Sequence, residues 1–231
     1  MTSTAAALFD VDGTLVDSSY LHTVTWWQAL RQAGHLVPMA RVHRAIGLGS
    51  AELLDHLLGV GRDRAGDGEL DSAHQALYAV HWPSLEPLPG AAQVLRACAE
   101  RGWTVVLATS AGAREVEVLR KVLDADDAIA DQVHADQVDA AKPAPDLVEQ
   151  ALAQAGVDAG RAVFVGDTAW DVQAAHRAGV PCLGVLSGGW SRSELADAGA
   201  AQIYRDAGEL AGFLDASLLA DPASLNPGHA L

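Results

Sequence analysis

The sequence predicts an α/β fold in which a parallel sheet core carries an inserted, smaller helical domain. Three observations lead there. Short apolar runs alternate with helix-length amphipathic segments, as in a parallel sheet covered by helices on both faces. One stretch of about 65 residues breaks that alternation with helical patterning throughout. Aspartates directly follow two of the apolar runs, where open α/β sheets place their ligands.

Taken in order, residues 5–9 form the first strand. Helices then cover 21–32, 39–46, 51–58 and 69–80 with no strand between them. This block is entered through Val16-Asp17-Ser18 and left through Pro83 to Gly90, a segment stiffened by prolines and too irregular for a helix. Beyond it the pattern predicts a helix over 90–101, a strand over 104–108, a helix over 113–123 and a short edge strand within 128–134. A helix over 146–155, a strand over 162–165, a helix over 168–178, a strand over 182–186 and a helix over 193–198 complete the alternation. Gly102, Gly156 and Gly179 stand where helix C-termini favour glycine. Residues 1–16 and 86–231 thus read as a Rossmann-like core, residues 17–85 as the inserted domain, and about 222–231 as a frayed tail. No internal repeat is visible.

A composition of 50% hydrophobic and 19% charged residues is that of a soluble globular chain able to bury a sizeable core. The net charge of −15 argues against nucleic-acid or anionic-membrane partners, because polyanions reward a basic surface. The two cysteines, Cys98 and Cys182, read as reduced core residues, and a cytoplasmic location follows as the expectation. The apolar run near the N-terminus is broken by Asp10 and Asp12 and follows no basic segment, so it does not read as a signal peptide. No stretch approaches the roughly 18 apolar residues of a membrane span.

Four segments carry chemistry: Phe9-Asp10-Val11-Asp12-Gly13-Thr14-Leu15, Ala108-Thr109-Ser110, Lys142-Pro143-Ala144-Pro145-Asp146 and Val165-Gly166-Asp167-Thr168-Ala169-Trp170-Asp171. Hydrolysing a phosphate monoester requires offsetting the dianion's charge, aligning a nucleophile and protonating a leaving alkoxide. Asp10 closes the first strand, and Asp12 lies two residues on, with Gly13 and Thr14 letting the chain turn sharply. Two carboxyls can therefore approach one phosphorus with different tasks. Asp167 follows another strand, and Asp171 lies one helical turn along the same face. Acidic residues of that kind suit a hard cation such as Mg²⁺, although they also suit helix capping. Lys142 is one of just two lysines beside thirteen arginines, which suggests that a compact ammonium is wanted there.

In this order the four segments resemble the haloacid dehalogenase (HAD) superfamily of aspartate-nucleophile hydrolases, over nearly the whole chain. The helical insertion matches the small cap that one HAD group carries just after its first motif. The resemblance implies that Asp10 attacks phosphorus and that Asp12 protonates the leaving group and then activates water. It implies that Thr109 holds a phosphate oxygen, that Ser110 contributes its backbone N–H, and that Lys142 stands between Asp10 and a phosphoryl oxygen. Gly13 and Thr14 belong to the same phosphate-binding loop. Mg²⁺ would be held by Asp10, the backbone carbonyl of Asp12 and Asp167, with Asp171 either binding it directly or orienting its water.

The stretch Arg44-Ala45-Ile46-Gly47-Leu48-Gly49-Ser50 resembles the cap segment of phosphoglycolate-phosphatase-like enzymes. Arg44, Gly47 and Ser50 are thus candidates for substrate contact, with Arg44 meeting a carboxylate or second anionic group, or else standing as a surface arginine. The expected activity is hydrolysis of a small phosphorylated metabolite, with a β-phosphoglucomutase-like mutase as the alternative. Dehalogenases of the superfamily lack an aspartate at the position of Asp12, and phosphonoacetaldehyde hydrolases use a cap lysine that residues 17–85 do not contain. Oligomeric state is not legible.

Overall fold

The computed structural model describes residues 5–225. Its strands are β1 (Ala5–Phe9), β2 (Trp103–Ala108), β3 (Asp131–Val133), β4 (Ala162–Gly166), β5 (Cys182–Val185) and β6 (Gln202–Tyr204). They form one sheet in the order β3-β2-β1-β4-β5-β6, with every pairing parallel. The chain leaves β1 toward β2 on one side and later fills β4 on the other. The gap between β1 and β4 is thus the topological switch point, where open sheets leave a crevice at the strands' carboxyl ends.

The helices of the core are α5 (Ala91–Glu100), α6 (Ala113–Leu123), α7 (Asp146–Ala155), α8 (Ala169–Arg177), α9 (Arg192–Ala198) and α10 (Ala207–Gly212), after α1 (Ser19–Gln32), α2 (Met39–Ala45), α3 (Ser50–Leu58) and α4 (Asp67–Ala79) of the insertion. Alternation along the strands divides the core into two layers. Ala5, Ala7, Phe9, Val105, Leu107 and Val163 pack with Val94 and Leu95 of α5 and Leu119 of α6. Ala6, Leu8, Val106 and Phe164 pack with Leu147 and Val148 of α7 and Val172 of α8. β1 is buried over its whole length, as a central parallel strand requires. Cys98 and Cys182 are both buried and free, one in each layer.

The insertion has an apolar centre of its own, built around Trp26, Leu30, Val42, Leu53, Leu54 and Leu70. Its two connections run side by side: the Asp17 N–H donates to the Glu86 carbonyl at 3.0 Å, and the Leu88 N–H to the Leu15 carbonyl at 2.8 Å. Among the described residues no helix is long and apolar enough to cross a membrane.

Three expectations need correction. β6 and α10 lie beyond the last predicted element; β6 is a three-residue edge strand of half-buried side chains and gives little apolar signal. α10 had one, because the Asp206 side chain caps it by accepting from the Glu209 N–H at 2.7 Å, and Asp-x-x-Glu is a helix-start pattern. Residues 222–225 do not fray: Pro222–Ser224 makes a 3₁₀ turn, and Leu225 packs on the core while its carbonyl accepts from Arg161. Residues 226–231 of that expected tail lie outside the described residues.

Candidate active site

Asp10 continues β1 by one residue, its N–H donating to the Val165 carbonyl of β4 at 2.9 Å. The chain then coils into a turn in which the Leu15 and Val16 N–H groups both return to the Val11 carbonyl. Gly13 makes the turn possible. Its φ of +80° is left-handed, and a Cβ there would lie 2.6 Å from Asp167 Oδ2. The turn sets the carboxylates of Asp10 and Asp12 on the carboxyl edge of the sheet.

Lys142 is fully buried and reaches that edge from the loop before α7. Its Nζ lies 2.5 Å from Asp10 Oδ1 and 2.7 Å from Asp171 Oδ1, and 5.6 Å from the centroid of the Phe164 ring. Burial alone would lower its affinity for a proton, but Asp10 and Asp171 outweigh burial and raise it. Lys142 is thus a fixed positive charge. Thr14 Oγ1 stands 3.1 Å from Asp10 Oδ2 and 3.0 Å from Asp167 Oδ1, yet it has one proton for two acceptors.

The acids Asp10, Asp167 and Asp171 converge with ligand atoms within 4.8 Å of one another, all buried. Burial, with Asp171 and Asp12 behind it, raises the Asp10 carboxyl to about 7, against the lowering effect of Lys142. Burial, then Asp171 and Asp10, raise Asp167 well above the carboxylate range. Asp167 Oδ2 has no hydrogen-bond partner among the described residues. Crowded, desolvated carboxylate oxygens of this kind fit a hard divalent cation, whose charge would relieve the repulsion. Asp171 is already occupied: besides Lys142, its Oδ2 accepts from the Thr168 N–H at 3.0 Å and the Thr168 hydroxyl at 2.6 Å. It caps α8 and orients Lys142.

Asp12 sits among different partners. Ser18 Oγ donates to its Oδ1 at 2.6 Å, Thr109 Oγ1 to its Oδ2 at 3.3 Å, and His22 Nε2 lies 3.3 Å from Oδ1. Burial would raise Asp12, but these contacts, His22 foremost, hold it below the usual carboxylate range. His22 also lies 3.3 Å from Glu115 Oε1. Burial works against its protonation, yet hydrogen bonds to Asp12 and Glu115 raise it to about 10. Asp12, His22 and Glu115 also converge closely enough to hold a metal; with none there, a protonated His22 pairs with both acids. His22 stacks on Tyr78 at 3.8 Å between centroids, and its Nδ1 lies 3.2 Å from Nε2 of His74.

A cavity opens above Asp10 and Asp12, roofed by the insertion. Gly47 and Ser50 line it, as does Ser110 from the core. The Ser110 hydroxyl donates to the Gly47 carbonyl at 3.3 Å, and Ser50 Oγ donates to Asp71 at 2.6 Å. Arg44 departs from expectation. Its guanidinium pairs with Glu194 at 3.2 Å, donates to the Gly189 carbonyl at 3.3 Å and lies 4.8 Å from the centroid of Trp190. Those partners turn it away from the cavity, which it does not line.

Ser18, His22, His74, Asp71, Glu115 and Gly188 were not singled out from the sequence. A signal existed for some of them: positions 18, 22, 26 and 30 share one helical face, and Ser and His interrupt that otherwise apolar stripe.

The haloacid dehalogenase-like hydrolase family matches residues 4–179. The chain belongs to this family of hydrolases. A phosphoglycolate phosphatase of Rhodospirillum rubrum is 33% identical over 220 residues, covering 90% of this chain and 90% of that protein. The crystal structure of a hydrolase from Pseudomonas syringae superposes with a TM-score of 0.87 at 32% identity, covering 92% of this chain and 99% of that one. A β-phosphoglucomutase from Clostridium difficile, at 17% identity, shares the fold with a TM-score of 0.77 over 90% of this chain and 93% of its own. The parallel core is therefore that of a HAD-like hydrolase.

Proposed function

We propose that this HAD-like hydrolase is a Mg²⁺-dependent phosphatase that cleaves small organic phosphate monoesters through an aspartyl-phosphate on Asp10. The observation that carries the reading is the buried junction of Asp10, Lys142, Thr14 and Asp167 at the switch point of the sheet. Asp10, Asp167 and the backbone carbonyl of Asp12 would hold Mg²⁺, with Asp171 keeping Lys142 in place. The bound ion would neutralise the approaching phosphate and keep Asp10 ionised as a nucleophile.

Lys142 balances the charge that builds on the transferring phosphoryl oxygens. Thr109 aligns Asp12 through the hydrogen bond between them. An incoming phosphate dianion raises the proton affinity of Asp12, which takes up a proton from solvent and passes it to the leaving oxygen. Once the alcohol has gone, Asp12 is a carboxylate again and takes a proton from the water that attacks the phosphoaspartate. Residues 17–85 act as a cap over this chemistry, and Gly47, Ser50 and Ser110 border the space left for the alcohol.

The test is release of inorganic phosphate from a panel of small esters, followed by ³¹P NMR with Mg²⁺ present. Phosphate appearing as fast as ester disappears is the expected result. Isomerised sugar phosphate with little free phosphate would replace this reading by the mutase.

A further inference from the structure

Building on that phosphatase reading, we infer that the alcohol released is hydroxyl-bearing and carries no second anionic group, and that Asp71 of α4 is the residue that recognises its hydroxyls. Asp71 lines the cavity on the side of the insertion. Ser50 Oγ donates to its Oδ1 at 2.6 Å and Gln75 Nε2 to its Oδ2 at 2.8 Å, so its carboxylate is held in place with lone pairs to spare. His74 lines the same cavity and is 6% exposed, and its Nδ1 has no hydrogen-bond partner among the described residues. A hydroxyl both donates and accepts, so a polyol can meet Asp71 and His74 together, where an alkyl chain would add nothing at Asp71 and leave His74 Nδ1 unpaired.

The charge around the cavity excludes a second anionic group. Asp12, Asp71 and Glu115 line it, and no lysine or arginine does among the described residues. Each nearby cation is already engaged. His22 sits between Asp12 and Glu115, Lys142 between Asp10 and Asp171, and Arg44 is turned toward Glu194. Arg114, beside Glu115 in the chain, lies 5.1 Å from the centroid of Trp82 and outside the cavity lining. A substrate carboxylate would enter this wall without a counter-charge, at a large desolvation cost.

The experiment reads binding on the Asp10→Asn protein with Mg²⁺, by calorimetry, for glycerol phosphate, ethyl phosphate and phosphoglycolate. Glycerol phosphate is expected to bind about tenfold or more tightly than either of the other two, because hydrogen-bonding sites reject ligands that leave them unpaired. Asp71→Asn should cut the preference for glycerol over ethyl phosphate about tenfold. Ser50→Arg should raise the affinity for phosphoglycolate relative to glycerol phosphate. Tightest binding of phosphoglycolate would overturn the inference, as would an unchanged glycerol-to-ethyl ratio in a folded Asp71→Asn protein. The expected binding order without phosphate release by the wild type would support the Asp71 site and count against the phosphatase reading alone.

Discussion

A methyl group on Gly188 would stand 1.6 Å from Oδ2 of Asp167. The loop after β5 is therefore pressed against the one carboxylate oxygen of the Asp10, Asp167 and Asp171 cluster that has no partner among the described residues, and only a hydrogen fits between them. Gly188→Ala should leave the fold intact, because the change lies in a loop, but must displace the Asp167 side chain. Apparent Mg²⁺ affinity, from activity titrations, is expected to fall about tenfold to a hundredfold. An unaltered titration would mean that Asp167 does not bind the ion.

Asp10→Asn should remove nearly all turnover, by about a thousandfold or more, because an amide forms no acyl phosphate. Circular dichroism would establish that the variant folds. A residual activity of about a tenth of wild type would place the nucleophile elsewhere.

Exhaustive chelation should abolish activity and Mg²⁺ restore it, while Ca²⁺, with its larger and looser coordination shell, should substitute poorly. Asp167→Ala should shift the Mg²⁺ requirement strongly upward. Asp171→Asn should act differently, lowering turnover through Lys142 with a smaller shift in Mg²⁺ requirement, since its carboxylate is spent on Lys142 and Thr168. Equal shifts in the two variants would make Asp171 a direct ligand.

His22 provides a pH test of stability. Its folded-state proton affinity is raised from 6.5 to about 10, so its pairing with Asp12 and Glu115 stabilises the fold fully below 6.5 and progressively less as pH climbs through 10. Urea unfolding of wild type and His22→Gln, both in chelator, should show a stability gap that is widest at about pH 6, shrinks above pH 6.5 and closes toward pH 10. A gap that stays constant over that range would mean that the imidazole is held neutral.

Much of the core was legible because parallel strands announce themselves as short apolar runs, and because Asp10, Asp12 and Asp167 fall at or just beyond their ends. The first turn of α8 was legible for the same reason, with Asp171 at its start. What escaped depended on pairs distant in the chain. Nothing local in Ser187-Gly188-Gly189 indicates that Asp167 lies against it. Nor does the sequence around Arg44 reveal that Glu194 and Trp190, about 150 residues away, turn it from the cavity. Nothing in the sequence around them singles out Asp71 and His74; the packing of α1, α3 and α4 brings them to the cavity that Asp12 also lines.

The paired connections of the insertion restrict how it can travel. A single linking strand would let residues 17–85 swivel in any direction. Here the segment at Val16 pairs with the one at Pro87, and hydrogen bonds flank that bridge on both sides. Such a ribbon resists sliding and twisting and yields most easily by flexing across its width. Were the insertion to open, it would swing about one axis, and its closure would return Gly47, Ser50 and Asp71 to the same height above Asp10, with no need to find their register anew.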